Sequence, residues 1–514
     1  MTIVELPRVG LPQTDAVRTT AASFDIAPRR WLYLLLAYFT LHVAIRTLLS
    51  SSADGDEAEQ VMLAQKALWG YGSQPPLYTW LQIGFFHGFG VSVFSLALLK
   101  NLLLAGTYLL TYWSAKLVTR SRAGGLAAAL SLLFIEQIAW ESQRDLTHSV
   151  LGATLAAATL LIFLRAHESR RLGWYISLGF CVGLGCLSKY NYLFWPLALT
   201  VAALSIPELR RTVLDKRMWV AVAICGLVFL PNGLWIWHHR AQAFSSAAKF
   251  NVQDAGSLLA AYGVALRQLI VAGLKFLGPL VLVYWGVFRK STGQSGEALT
   301  LDDDCRLAIY KLFLKRTLVV VGALLLVVVL GFRTAGIRDR WLQPVLIFAP
   351  VLAAAVVRER LDEVRLKRLV TAGGIVMVVV TVGLPGRIIL AEQLHRKEAL
   401  THPYRQIAQQ IAGAIPESSL VLTTSRLMAG SLRLHLPSRL CVSLEDNAWF
   451  GDDQEHCFIA WDTEGAEETP YAVRVWLQKH GPGSGLPAEA VRYFTAPYQY
   501  HDQRQMRVGL VQIR

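Results

Sequence analysis

The sequence predicts a mainly α-helical, polytopic membrane bundle carrying a small C-terminal extracytoplasmic α/β domain. Three observations predict it. Of 514 residues, 54% are hydrophobic and 17% charged, too apolar for a soluble chain of this length. Apolar runs approaching the roughly 20 residues that a bilayer requires recur from residue 31 to residue 385. Basic residues gather in alternate connections between those runs.

The runs number about eleven, the shorter ones reading as broken or tilted spans. They are Trp31–Leu49, Asn101–Val118, Gly124–Trp140, Ser149–Leu164, Trp174–Leu187, Tyr192–Ile206, Trp219–Trp237, Leu258–Phe288, Thr317–Phe332, Trp341–Val357 and Leu369–Pro385. Residues 1–30 form a weakly basic lead without a small-residue cleavage site after the first run, so Trp31–Leu49 reads as an anchor rather than a removed signal.

The formal net charge of +14 does not point to nucleic acid, because of where the cations lie. Arg29/Arg30, Lys116/Arg120/Arg122, Arg165/Arg170/Arg171, Arg210/Arg211/Lys216/Arg217, Arg289/Lys290 with Lys315/Arg316, and Arg358–Arg368 occupy every second loop. The positive-inside rule places those loops, and the N-terminus, in the cytoplasm. The C-terminal segment then lies outside, which in a bacterial inner membrane, the setting implied by the resemblance described below, is the periplasm. Of six cysteines, only Cys441 and Cys457 fall in that segment; they form a disulfide or remain two thiols.

The outer connections carry the chemistry. The first, about 50–100, is far longer than a connector requires. It opens with Asp54-Gly55-Asp56-Glu57, continues as a helix over Asp56–Gly70 expected along the membrane surface, turns at Gln74-Pro75-Pro76-Leu77 and closes with a short helix over Leu77–His87. Acids at the end of a span are costly unless solvated or functional; Asp54 and Glu59 read as solvated, Asp56 and Glu57 as functional. The second outer loop, 140–148, holds Glu141, Arg144, Asp145 and His148. Ser188-Lys189-Tyr190-Asn191 breaks two apolar runs at the outer face, where an isolated lysine requires a reason. A phosphate supplies one. His238, His239 and Arg240, and then Arg333, Arg338 and Arg340 beside Trp341, add cations at that face. Asp302-Asp303-Asp304 lies in the cytoplasmic loop 290–316, on the opposite side. From about Gly386 the composition becomes that of a soluble domain, with a helix expected over Pro403–Ile415 and strands over Ser419–Thr424, Cys457–Trp461 and Met506–Ile513; Gly481–Pro487 marks a turn.

This order of elements resembles the GT-C glycosyltransferases of family 39, which include the aminoarabinose transferase of lipid A, rhizobial galacturonosyltransferases and protein O-mannosyltransferases. The resemblance covers about residues 30–350 and rests on short motifs, their order and their sidedness. It implies a polyprenyl-phosphate-linked sugar donor, a glycolipid acceptor such as lipid A or lipopolysaccharide core, and inverting transfer at the periplasmic face among membrane lipids. Asp56 matches the first-loop acid taken as the base, Asp145 the second-loop aspartate and Lys189 a phosphate-binding lysine. Arg340-Trp341-Leu342-Gln343-Pro344 resembles an Arg-Tyr-x-x-Pro element. Gln74 stands where relatives carry a lysine before Pro-Pro-Leu, Ser73 where an acid is frequent and Trp341 where they carry a tyrosine. Glu57, Arg144, His148 and Trp341 become supporting residues. A divalent metal is a possible cofactor, with Glu57 and His239 as weak candidate ligands. The sugar and the acceptor stay open. The rival reading is a lipid-linked-sugar flippase or secondary transporter, against which stand the one-sided polar groups and the lack of a visible internal repeat.

Overall fold

The computed structural model describes residues 28–245, 258–289, 300–332, 339–446, 456–463, 465, 469–480, 491–501 and 504–513. Seven described helices are long and apolar enough to cross a membrane, or eight with the bent pair Arg122–Phe134 and Gln137–Arg144. The eleven runs of the sequence include segments that fall short of a span. Leu172–Ser188 and Tyr190–Leu204 are short apolar helices, and the last-but-one run is divided into pieces at Asp339–Trp341, Gln343–Leu346 and Ala349–Val357. At 1.5 Å per residue such pieces cross only part of a hydrocarbon layer.

A single apolar cluster runs through the bundle. It draws on α1 (Pro28–Leu49), α4 (Val93–Thr119), α5 (Arg122–Ser131) and most of the later long helices. Large apolar side chains such as Trp219, Leu227, Val281 and Val319 face outward, as expected where the surroundings are lipid. Basic residues collect at one end of the bundle. Arg358 donates to the Thr119 carbonyl at 2.9 Å, Arg120 pairs with Glu168 at 2.7 Å and Lys311 with Glu359 at 2.6 Å. The Asp302–Asp304 acids join this end. They form the first turn of the Leu301–Phe332 helix, Asp302 pairs with Arg306 and Asp303 lies 3.7 Å from Arg120. The expected loop over 290–316 is therefore helical from Leu301, and its earlier part lies outside the described residues, as do residues 1–27.

At the opposite end sits a five-stranded sheet of β1 (Ser419–Thr423), β2 (Leu440–Ser443), β3 (His456–Asp462), β4 (Arg492–Pro497) and β5 (Gln505–Gln512), in the order β2-β1-β3-β5-β4. β1 pairs parallel with β2 and β3, while β5 pairs antiparallel with β3 and β4. The three expected strands form its centre. The two edge strands carry weak signals: β2 has four residues, and β4 ends in a proline tolerable only at an edge. The helix expected over 403–415 spans Tyr404–Ala414, and the Gly481–Pro487 turn lies outside the described residues. Cys441 and Cys457 are not disulfide-bonded. They lie on strands separated by β1, opposite Val421 and Leu420 respectively, so they point to opposite faces about 10 Å apart, beyond the reach of a bridge.

The first outer connection folds between bundle and sheet. α2 (Gly55–Leu63) is shorter than the expected 56–70 helix. Past Ala64 the chain docks on the Arg217–His238 helix: Asn232 Nδ2 donates to the Trp69 carbonyl at 2.6 Å, and a Cβ at Gly70 would overlap the Trp235 ring. Nor is α2 laid on a membrane surface. Met62, Leu63 and Tyr71 complete the apolar face formed by Leu420, Val442 and Ile459. Ala58 meets the Arg426–Arg433 helix so closely that a Cβ at Gly430 would overlap the Ala58 carbonyl oxygen. α3 (Leu77–Phe89) follows, two residues longer than expected.

Candidate active site

The site begins at the N-terminus of α2. Asp54 is the N-cap, and Asp54 and Glu57 form a capping box, which satisfies orphan N–H groups and fixes where the helix starts. Ser50 and Ser52 hold the entering strand by donating to the carbonyls of Leu400 and His402 at 2.5 and 2.6 Å.

Glu57 is wholly committed to structure. Arg46, in the last turn of α1, bonds it through Nη2 at 2.5 Å, and Lys100 Nζ bonds it at 2.9 Å; the three side chains are 9%, 2% and 1% exposed for Arg46, Lys100 and Glu57. Burial alone would raise its pKa, but the charges and hydrogen bonds of Arg46 and Lys100 hold it well below the usual carboxylate range. Arg46 further donates to the carbonyls of Ser50 and Ser52 at 3.1 and 2.7 Å.

Asp56, the preceding residue, lies on a different side of α2. Its backbone N–H donates to Asp145 Oδ1 at 2.8 Å, and its carboxylate accepts from the Thr147 backbone. Burial pushes its carboxyl pKa up, against the positive charges of Arg340 and Lys189 and the Thr147 bond, with Asp54 adding to the rise. Asp145 is raised too, by burial first and then by the charges of Asp56, Asp54 and Glu57. The two aspartates thus compete for one proton.

Three breaks in helical structure bring these groups together. The helix beginning at Arg122 turns by 76° before Gln137, where a π-helical turn over Gln137–Glu141 interrupts the regular ladder and delivers Asp145. Lys189 sits in extended backbone at the end of the Leu172–Ser188 helix. Its Nζ donates to Ser149 Oγ at 2.7 Å and to the Arg340 carbonyl at 3.3 Å. Burial, with the neighbouring Arg340, pushes the Lys189 ammonium down to about 7 against the pull of Asp56. Arg340 occupies a short 3-10 turn, anchored where Asn191 Nδ2 donates to the Trp341 carbonyl at 3.0 Å.

His148 is a strut. Thr79 donates to Gln60 Oε1 at 2.8 Å, which orients the Gln60 amide so that Nε2 faces His148 Nε2 at 3.0 Å. The imidazole then carries its proton on Nδ1, 3.3 Å from the Ser188 carbonyl. Arg144 pairs with Glu141 at 3.1 Å. Gln74 closes a turn through two backbone bonds with Tyr71, each 3.1 Å, and among the described residues no side-chain hydrogen bond joins it to Lys189 or Asp56. The two metal candidates also separate. Glu57 faces two cations that would repel a metal ion, while His239 is exposed and stacks on Trp235 with ring centroids 4.8 Å apart. Among the described residues no group of three or more His, Cys, Asp or Glu is placed to hold a metal ion. Arg333 and Arg338 lie outside the described residues.

Sequence reasoning missed Arg46, Lys100, Gln60 and Ser149. Lys100 did carry a signal. It stands within the apolar stretch Leu96–Leu104, and a buried charge there demands an opposite charge, which Glu57 supplies.

Residues 73–235 match the family model described as dolichyl-phosphate-mannose-protein mannosyltransferase. The chain is 33% identical to the lipopolysaccharide core galacturonosyltransferase RgtB of Rhizobium johnstonii over 91% of this chain and 94% of that protein. It is 30% identical to RgtA, with the same description, over 79% and 80%, and 26% identical to the lipid A galacturonosyltransferase RgtD over 53% and 57%. ArnT from Cupriavidus metallidurans, solved bound to undecaprenyl phosphate, shares the fold with a TM-score of 0.57 at 12% identity, covering 94% of this chain and 98% of that one. The conserved bundle-and-sheet architecture and the extended match to RgtB and RgtA together show that the chain belongs to the GT-C glycosyltransferases, in the family of the rhizobial lipopolysaccharide core galacturonosyltransferases.

Proposed function

We propose that this chain transfers a galacturonosyl unit from a polyprenyl-phosphate donor to a lipopolysaccharide core or lipid A acceptor at the periplasmic face of the inner membrane. The observation that carries the assignment of roles is the meeting of Asp56 with Asp145, Lys189 and Arg340, contributed by four separate segments. The activities of the relatives RgtB, RgtA and RgtD suggest the sugar and the acceptor class. The donor class draws on the ArnT fold and its bound undecaprenyl phosphate.

A sugar hydroxyl is a poor nucleophile until its proton is taken. Asp56 accepts that proton as the acceptor oxygen attacks the anomeric carbon. The bond from that carbon to the phosphate oxygen breaks on the opposite side, and the electron pair leaves with the polyprenyl phosphate. Lys189 and Arg340 meet the charge developing on the leaving group. Asp145 holds the Asp56 backbone N–H, and burial, with the charge of Asp56, in turn raises the Asp145 carboxyl to about 8. Among the described residues the candidate metal ligands do not assemble a donor set.

Purified protein in liposomes, given labelled polyprenyl-phosphate galacturonic acid and lipopolysaccharide core, tests the proposal. Label should move to the acceptor, and Asp56→Asn should stop it. Label crossing the bilayer without transfer would instead make the chain a flippase.

A further inference from the structure

A second group of cations stands on the other shoulder of α2 and has no part in the mechanism above. A cleft of ≈ 430 Å³, its open mouth included, is lined by Arg46, Lys100, Arg144 and Arg387 together with the amides of Asn101 and Gln143, and no carboxylate lines it. These cations are not equivalent. Arg46 and Lys100 are spent on Glu57. Arg387, in the last turn of the Glu363–Ile389 helix, has a side chain only 8% exposed. It gives Nη2 to Glu398 at 3.2 Å, and Asp54 lies 3.8 Å away, yet its Nε finds no hydrogen-bond partner. Arg144 gives Nη2 to Glu141 at 3.1 Å, and its buried Nε is equally unpartnered. A buried guanidinium N–H left unpaired is costly, and two guanidiniums from different segments on one cleft that no carboxylate lines make a cationic place of the kind an oxyanion fills.

Two residues of the cleft connect to the reaction centre. Arg144 directly precedes Asp145, and Arg387 reaches the N-cap of the helix that presents Asp56. We propose that Arg144 and Arg387 form an oxyanion subsite that recognises an acidic group of the substrate, a carboxylate or a phosphate, while the reacting sugar sits at Asp56. The two sources of that chemistry are the carboxylate of the transferred uronic acid and an acidic group on the acceptor glycolipid. The inference rests on the transfer reaction proposed above and deepens it: it makes the site selective for charge as well as for the sugar–phosphate bond.

The test compares a galacturonosyl donor with its carboxyl-reduced galactosyl counterpart, each on acceptors with and without their acidic groups, in wild type, Arg144→Gln, Arg387→Gln and Arg387→Lys. In wild type, kcat/KM favours the acidic substrate. Either Gln substitution should lower that preference by about 10- to 100-fold, and Arg387→Lys should restore part of it. A preference that tracks the donor assigns the subsite to the sugar carboxylate; one that tracks the acceptor assigns it to the glycolipid. An equal loss on acidic and neutral substrates would make both arginines purely structural and overturn the proposal, as would no change at all. Thermal stabilisation by the two donors reads binding without turnover. If wild type transfers neither sugar, an Arg387-dependent stabilisation by the acidic donor alone keeps the subsite and rejects the reaction. Equal stabilisation by both donors rejects the subsite.

Discussion

Asp56 and Glu57 are neighbours in the chain and opposites in the structure. Glu57 turns into the bundle, where Arg46 and Lys100 clasp it and hold its proton off. Asp56 turns toward Asp145, Lys189 and Arg340 with no cation bonded to it directly among the described residues, and burial raises its pKa. Adjacent acids driven apart in this way have unlike surroundings: one is tied to two cations that set the geometry of α2, and the other is left without a directly bonded cation among the described residues. The difference teaches that charge count at a membrane end says little about function. What matters is whether the charge is already answered.

Substitution breaks this contrast from either side. Asp56→Asn should lower kcat by about 10³-fold or more, within the range of a lost general base, with the melting temperature unchanged; a substantial fall in melting temperature would make Asp56 another structural acid. Glu57→Gln should do the reverse in kind. It strands two buried cations, at a cost of about 3–5 kcal/mol, and should appear as poor expression and a lowered melting temperature before any activity is measured. Gly430→Ala tests whether the sheet domain sets the position of α2. Its Cβ would overlap the Ala58 carbonyl oxygen, so α2 must shift, and a misplacement near 1 Å costs about 10²-fold in rate; unimpaired turnover would show that the domain docks without constraining the site. Lys189→Ala should raise the donor KM by about tenfold, the worth of one charge-assisted hydrogen bond, and leave the fold intact; an unchanged KM would remove its phosphate role.

The smallest effect is on pH. Asp56 must be ionised to accept a proton, so activity falls as pH drops through its raised pKa. Lys189 must be protonated to meet phosphate, so kcat/KM falls as pH rises through about 7 in the free enzyme. Bound phosphate stabilises the ammonium and should carry the same limb of kcat to higher pH. Lys189→Arg, with its permanent charge, should remove the alkaline limb; its persistence would assign it to another group.

Much of this was legible in the chain. Apolar length and alternate basic loops gave the membrane bundle, and polar residues at span ends singled out Asp56, Asp145, Lys189 and Arg340, which the fold brings together. Gln74 is held in a turn by backbone bonds with Tyr71, and a motif position says where the backbone turns, not where a side chain reaches. The surface helix over 56–70 was misjudged for a related reason. Its apolar residues face the sheet domain, and a helical pattern does not say which partner covers it.

By itself the sequence determined which segments are apolar enough for lipid and which end of each carries charge, since both follow from composition and short-range spacing. Tertiary packing set which acid is answered by two cations and which is not. Arg46 and Lys100 reach Glu57 from 11 and 43 residues away, and Asp145 reaches Asp56 from 89. Pairings at that separation depend on where three broken helices end, a matter of packing that no local pattern encodes.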